Sequence, residues 1–175
     1  LGDAARAESE LDGVRRRAKD AFSAMEVAVW SARARLARAH ATNGAARERA
    51  VRGALTRARE AVRLGEQHGY LSGQVLGMVT VGQAMLLDGD PGQALAWTQR
   101  AAELLDERAS TSLPVEEVLG AYAAALAALG DDEEALVVRR RAHALLEERA
   151  ARLPAAAREL FWSLPARRAL LAPVS

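Results

Sequence analysis

The side chains that could do chemistry in this 175-residue chain are few and widely spaced. The histidines are His40, His68 and His143, and none lies three or four residues from another, the spacing that places two metal ligands on one helix face. Glu147 follows His143 by four residues, which predicts a surface ion pair. The chain has no Cys, so disulfides, thiol catalysis and cysteine-ligated zinc are excluded. We therefore expect no metal site and no cofactor.

Nucleophiles, acidic clusters and glycines give no catalytic pattern either. No serine lies in a GxSxG motif, and the acidic run 131–134 stands at a predicted helix start, where negative charge favours the helix dipole. Gly69, Gly73 and Gly77 recur every four residues without the Lys and Ser or Thr of a phosphate loop. They predict a smooth ridge for close helix packing, with a docking or self-association face as the alternative. The sequence therefore indicates that this chain is not an enzyme.

Charge and hydropathy bound the partners and the compartment. The 24 Lys and Arg residues nearly balance the 23 Asp and Glu residues, so we expect no direct contact with nucleic acid. The uncharged stretch 70–87 approaches a membrane span in length, but its polar residues and three glycines favour a buried helix and no membrane. No signal-peptide pattern begins the chain, and only one of its 24 basic residues is Lys. We expect a cytoplasmic fragment of a longer bacterial protein.

Helical periodicity runs along almost the whole chain. Apolar residues recur at intervals of three and four, as at Ala94, Trp97 and Ala101, and predict an all-α protein. Gly-Asp at 89–90 and at 130–131 indicates the end of one helix and the start of the next. Short connections predict antiparallel neighbours. The predicted helices are 13–41, 45–68, 71–87, 91–108, 114–129 and 132–152, with short tail helices at 155–162 and 165–171.

Two separate blocks of the sequence repeat at a spacing of 41 residues. GDPGQAL at 89–95 is echoed by GDDEEAL at 130–136, and AAELLDER at 101–108 is echoed by AHALLEER at 142–149. A weaker copy, which includes Ala54 and Ala61, lies 40 residues upstream of Ala94 and Ala101. A fixed period over separate blocks predicts stacked helical hairpins.

Small residues at regular places in these hairpins carry a resemblance to a known family. They are Gly82, Gly89, Ala94 and Ala101 in one hairpin and Ala123, Gly130, Ala135 and Ala142 in the next. The pattern resembles the tetratricopeptide repeat (TPR), although Met78, Met85 and Leu119 stand where that family has large aromatics. The resemblance implies a right-handed α-solenoid of about three antiparallel hairpins with a short C-terminal capping helix. It divides one continuous domain into a divergent first hairpin at 1–69, two TPR-like hairpins at 70–152, and a cap and tail at 153–175.

The tail carries a second resemblance in residues Leu160, Phe161, Pro165, Arg168 and Leu171. This pattern resembles the segment that closes the helical-repeat regions of large bacterial signalling proteins, among them cyclase-, kinase- and transcription-regulator-linked ATPases. The resemblance implies that the chain is the C-terminal repeat region of such a protein, with the catalytic parts upstream. A simple amphipathic cap on the last hairpin is the alternative, and both interpretations can hold together.

The TPR resemblance also implies a binding surface, because the first helix of each hairpin lines the concave side in that family. The predicted partner-binding residues are Leu76, Val79, Thr80, Gln83, Leu87, Glu117, Gly120, Ala121 and Ala124. This apolar surface of small residues predicts an apolar helix or an extended apolar segment as the bound peptide or protein. The alternative is that the larger apolar residues of this surface pack on 13–69 and belong to the core.

We therefore expect a non-catalytic protein–protein interaction or regulatory module that binds a protein or peptide or associates with itself. The predicted first helix either covers the repeats or pairs with a second copy as a homodimer. Its apolar stripe consists of Val14, Phe22, Met25, Val29 and Leu36, with Trp30 beside it. The alternative function is small-molecule effector sensing by a helical-repeat domain of a transcription regulator, which the fluorescence of Trp97 or Trp30 would report.

Overall fold

The computed structural model of the protein describes residues 2–107, 113–164 and 167. Within these ranges the chain forms eight α-helices and no β-strand, which confirms the all-α prediction. Consecutive helices pack as adjacent antiparallel pairs, as the short connections predicted. The helices are α1 (Gly2–Arg15), α2 (Ala21–His40), α3 (Gly44–His68), α4 (Leu71–Asp88), α5 (Pro91–Glu107), α6 (Val115–Ala128), α7 (Asp132–Ala151) and α8 (Ala155–Ser163).

The prediction of one long helix over 13–41 is wrong, because two helices occupy this region. α1 ends at Arg15, and a new helix begins after Asp20. The extended backbone of Asp20 allows its carboxylate to accept hydrogen bonds from the Ser23 backbone N–H (2.7 Å) and the Ser23 hydroxyl (2.8 Å). A capped start of this kind satisfies N–H groups that lack helical partners, so it favours a break in the helix. Val14 and Phe22 therefore do not share one helical stripe.

The other helix ends follow the sequence signals closely. The bounds of α3 to α8 lie within one residue of the predicted ones over the described ranges, whereas the predicted tail helix at 165–171 lies outside them except for Arg167. Gly89 and Gly130 both have φ of 84°, a left-handed conformation that favours glycine at the end of a helix. The side chains of Asp90 and Asp131 then accept hydrogen bonds from backbone N–H groups three residues on. The repeated Gly-Asp pair thus ends one helix and begins the next in both hairpins.

The arrangement of the helices is defined by two kinds of contact between them. Each helix contacts its neighbour in the chain, and in addition α2 contacts α4 and α4 contacts α6. Among the described residues, α3, α5 and α7 make no comparable contacts with one another. The even-numbered helices α2, α4 and α6 therefore lie side by side, while the odd-numbered helices are separated from each other.

The core is built from small and branched side chains that let the helices approach closely. Ala58 and Ala61 of α3 are fully buried against the glycine ridge of α4. A Cβ atom added at Gly77 would lie 2.9 Å from the Ala58 carbonyl oxygen, so this site has no room for a side chain. Gly73 and Gly77 are buried, which confirms the close-packing interpretation for these two positions. Gly69 does not belong to the ridge, because it ends α3 with φ of 71°.

Candidate functional site

Three of the nine predicted partner-binding residues are buried inside the chain. Val79 and Thr80 of α4 are each 1% exposed, and Ala121 of α6 is also buried. The Thr80 hydroxyl donates to the Leu76 carbonyl one helical turn earlier (2.8 Å), so its polar group is already satisfied. These three side chains form part of the core in the free chain and cannot reach a partner from where they lie.

The two large aliphatic residues of the predicted groove also contact the first helices of the chain. Leu76 packs against a cluster that includes Met25 and Val29 of α2, and Leu87 packs against a cluster that includes Leu36 of α2. Both remain partly exposed. The structure thus supports the alternative in which the aliphatic side chains of α4 pack on the N-terminal helices.

The other predicted residues, all on α4 and α6, form a partly exposed surface together with Arg33 of α2, which was not predicted; we call this surface the even-helix face. An ion pair between Arg33 of α2 and Glu117 of α6 connects the outer two helices of this face. Glu117 is therefore already occupied by an internal partner. The even-helix face consists of Arg33, Leu76, Gln83, Leu87, Glu117, Gly120 and Ala124, all partly exposed.

An apolar cleft that the sequence analysis did not predict lies between α1 and α2. This α1–α2 cleft has a volume of about 530 Å³. Trp30 forms one wall and is 51% exposed, and its ring lies 5.2 Å from the Arg33 guanidinium. An ion pair between Arg38 and Glu8 (3.4 Å) links the two helices. The cleft is lined by Ala7, Glu10, Leu11, Val14, Trp30, Arg33 and Ala34.

The cleft exists because α1 turns back onto α2 after the break at 16–20. A single helix over 13–41 would have left Trp30 beside a stripe on a free surface instead of opposite Leu11 and Val14. The sequence contained one usable signal, the Asp20 and Ser23 pair with N-cap spacing. Arg33 belongs both to the cleft and to the even-helix face, so the two surfaces adjoin.

Charged and aromatic contacts hold α8 and Arg167 against α6 and α7. Arg167 donates to Glu116 of α6 at 2.7 Å, and the Glu116 side chain is only 7% exposed. The Arg167 guanidinium also lies 3.8 Å from the ring centroid of Phe161. His143 of α7 stacks on Trp162 of α8 at 5.6 Å, with Glu147 3.8 Å from the imidazole as predicted. Pro165, Arg168 and Leu171, which carried the second resemblance, lie outside the described residues.

Among the described residues, three titratable groups have clearly shifted pKa values, and all lie outside the α1–α2 cleft: Asp20, Tyr122 and Arg100, whose pKa is raised by hydrogen bonds to Glu103 and Glu107. The hydrogen bonds from Ser23 lower the pKa of the Asp20 carboxyl group. Burial, followed by the charge of Glu134 and other acids, raises the pKa of Tyr122. Over the described ranges, no three His, Asp or Glu side chains are grouped so that they could hold a metal ion. The cleft is therefore a mainly apolar surface bordered by one carboxylate, Glu10, and one cation, Arg33, which is already paired with Glu117.

Comparison of the chain with protein-family models, with curated proteins and with solved structures gave no match. Within the part of the chain that the structure describes, none of the helices combines the length and apolar character needed to cross a membrane. The function is therefore inferred from the geometry of the cleft and of the even-helix face.

Proposed function

We propose that the chain is a non-catalytic protein–protein interaction module whose hairpins stack as a right-handed, TPR-like solenoid. The side-by-side packing of α2, α4 and α6 supports this, because stacked hairpins place equivalent helices next to one another. The resemblances of the repeats and the tail favour a cytoplasmic regulatory scaffold within a larger bacterial signalling protein. The even-helix face corresponds to the concave side of such an array.

One observation carries the proposal: the exposed apolar wall of the α1–α2 cleft adjoins the even-helix face through Arg33. Soluble proteins rarely leave a contiguous apolar surface open without a binding role. Trp30 is large, aromatic and half exposed, the kind of residue that dominates the free energy of binding at interfaces. The partner that fits is an apolar helix or an extended apolar segment, bound in the cleft and along the even-helix face.

Small-molecule effector sensing is the second candidate, and the volume of the cleft favours it. A cleft of about 530 Å³ lies within the range of small-ligand sites, and its apolar lining with the Trp30 ring would suit an aromatic or aliphatic ligand. Such a ligand would contact only α1 and α2. A peptide or protein would also cover α4 and α6 of the even-helix face, so the two kinds of ligand differ in how much of the surface of the chain they cover.

Crosslinking from the cleft tests the proposal. We would replace Trp30 by the photoreactive benzoylphenylalanine and, as the control, replace Val137, an equally exposed residue of α7. Irradiation in bacterial cytosolic extract should give protein adducts, including adducts with a second copy, from position 30 and none above background from position 137. Adding Ala34→Glu should remove the adducts, because a carboxylate would then stand in the apolar cleft.

The outcomes separate the two candidates. Protein adducts at position 30 that Ala34→Glu abolishes support the interaction module. If they are absent and the low-mass fraction of the extract raises the melting temperature of the wild-type chain but not of Ala34→Glu, the chain is an effector sensor. If position 30 gives no adducts and no fraction stabilises the protein, both functions are refuted.

A further inference from the structure

The first and the last of the described helices carry exposed apolar surfaces of different shape. At the N-terminal end is the α1–α2 cleft, a concave surface with Trp30 on one wall. At the other end α8 presents Leu160, which is 72% exposed, and Leu164 just after the helix, which is also exposed. These two residues and Ala156 recur every four residues, so they form one outward stripe. We call them the α8 stripe.

The α8 stripe points away from the other described helices. The inner side of α8 contacts α7 through Trp162, which stacks on His143, and through Arg158, which lines a hollow with Ala150. Leu160 lies two residues from both Arg158 and Trp162, which on a helix is a rotation of about 200°. Among the described helices α8 packs on α7 alone. A nine-residue helix with so little support gains stability from any further surface that covers its apolar side.

The order of the array shows where a further helix would fit. Each odd-numbered helix is followed by an even-numbered one packed against it, and α8 follows α7 in this way. The side of α2 that contacts α4 carries Met25 and Ala32, whereas Trp30 and Ala34 lie about 200° round the helix from Ala32. The cleft thus lies where another even-numbered helix, packed against both α1 and α2, would continue the order.

We propose that the occupant of the α1–α2 cleft is α8 of a second copy of this chain, inserted through the α8 stripe. This interaction rests on the proposed function and names its partner. A concave apolar site at one end and a convex apolar stripe at the other make a head-to-tail contact, which extends from copy to copy instead of closing as a symmetric pair. The expected binding mode is a helix in an apolar groove.

Two complementary variants test the arrangement. Leu160→Glu disables the stripe but leaves the cleft intact, and Trp30→Glu disables the cleft but leaves the stripe intact. Sedimentation velocity of the wild type should show a mass that rises with concentration beyond twice 18.7 kDa, including at molar salt, because the contact is apolar. Each variant alone should associate at least about tenfold more weakly. Their mixture should form a one-to-one dimer and stop there, since it contains a single intact interface.

A control variant shows whether a loss of association is specific to the cleft and the stripe. Val137→Glu changes an exposed apolar residue outside both surfaces and should associate like the wild type. Circular dichroism checks that the variants fold, and Ala34→Glu replaces Trp30→Glu if that variant does not. A wild type that stays at 18.7 kDa, or variants whose mixture stays monomeric, refutes the head-to-tail contact. A concentration-independent dimer refutes it too. In each case crosslinking from position 30 to another protein would leave the proposed function standing.

Discussion

Gly77 of α4 lies where α4 and α3 approach too closely for a side chain, so its replacement should affect stability. Gly77→Ala would place a methyl group 2.7 Å from Cγ2 of Val62, 2.9 Å from the Ala58 carbonyl oxygen and 3.0 Å from the Val62 nitrogen. Two of these atoms belong to the backbone of α3, so no rotamer change can relieve the contact. The two helices would have to separate at this contact.

The expected change in the free energy of unfolding of Gly77→Ala is the difference between two opposing effects. Overpacking of a tight core costs about 1–3 kcal/mol, and contact with the backbone places this variant at the upper end of that range. Alanine in place of glycine regains about 1 kcal/mol of helix propensity. The free energy of unfolding should therefore fall by about 2 kcal/mol. In a chain of this size that lowers the melting temperature by about 4–8 °C.

Urea and thermal unfolding followed by far-ultraviolet circular dichroism measure the change. Gly92→Ala is the matched control, because Gly92 is exposed in α5 and its added Cβ would meet only Asp90 Oδ1 at 3.8 Å. That variant should be unchanged or up to about 1 kcal/mol more stable. A Gly77→Ala protein that is as stable as the Gly92→Ala protein would refute the close approach of α3 and α4.

Two further predictions concern the C-terminal half. Arg167→Met leaves the buried Glu116 carboxylate without its cation, which typically lowers the free energy of unfolding by about 3–5 kcal/mol, so limited proteolysis after α7 should accelerate. Adding Glu116→Gln should restore most of the resistance to proteolysis. Unchanged proteolysis of the Arg167→Met variant would contradict the contact. Tyr122 should ionise above its ordinary value of 10.0, because burial raises its pKa, so its contribution to stability is intact below that pH and declines above it. Phenolate absorbance in a chain whose other tyrosine is replaced by Phe measures this, and a titration at the ordinary value would contradict it.

Most of the helix boundaries could be predicted because their causes are local. A glycine at φ of 84° followed by an aspartate that caps the next helix needs no distant contact, and both Gly89 and Gly130 were identified from sequence. The spacing of small residues predicted that helices would approach closely, and the burial of Gly73 and Gly77 confirms this. The prediction of a single helix over 13–41 was wrong for an equally local reason, since it did not include the N-cap signal of Asp20.

The candidate site was much harder to predict, because it depends on which face of each helix is covered. Periodicity placed Val79 and Thr80 on a helix, but it could not show that neighbouring helices bury them. Trp30 and Leu11 meet across the cleft only because α1 folds back on α2. The contact of Arg167 with Glu116 joins residues 51 positions apart, a distance over which sequence pattern carries no information.

The sequence alone thus determined the all-helical class and the positions of the repeated turns, because these properties follow from residue types and their neighbours along the chain. Only the tertiary structure decided which apolar residues remain exposed. Exposure is fixed when one helix covers another, and that depends on the direction in which the chain turns at positions such as 16–20. The α1–α2 cleft and the α8 stripe are the surfaces that this packing leaves open.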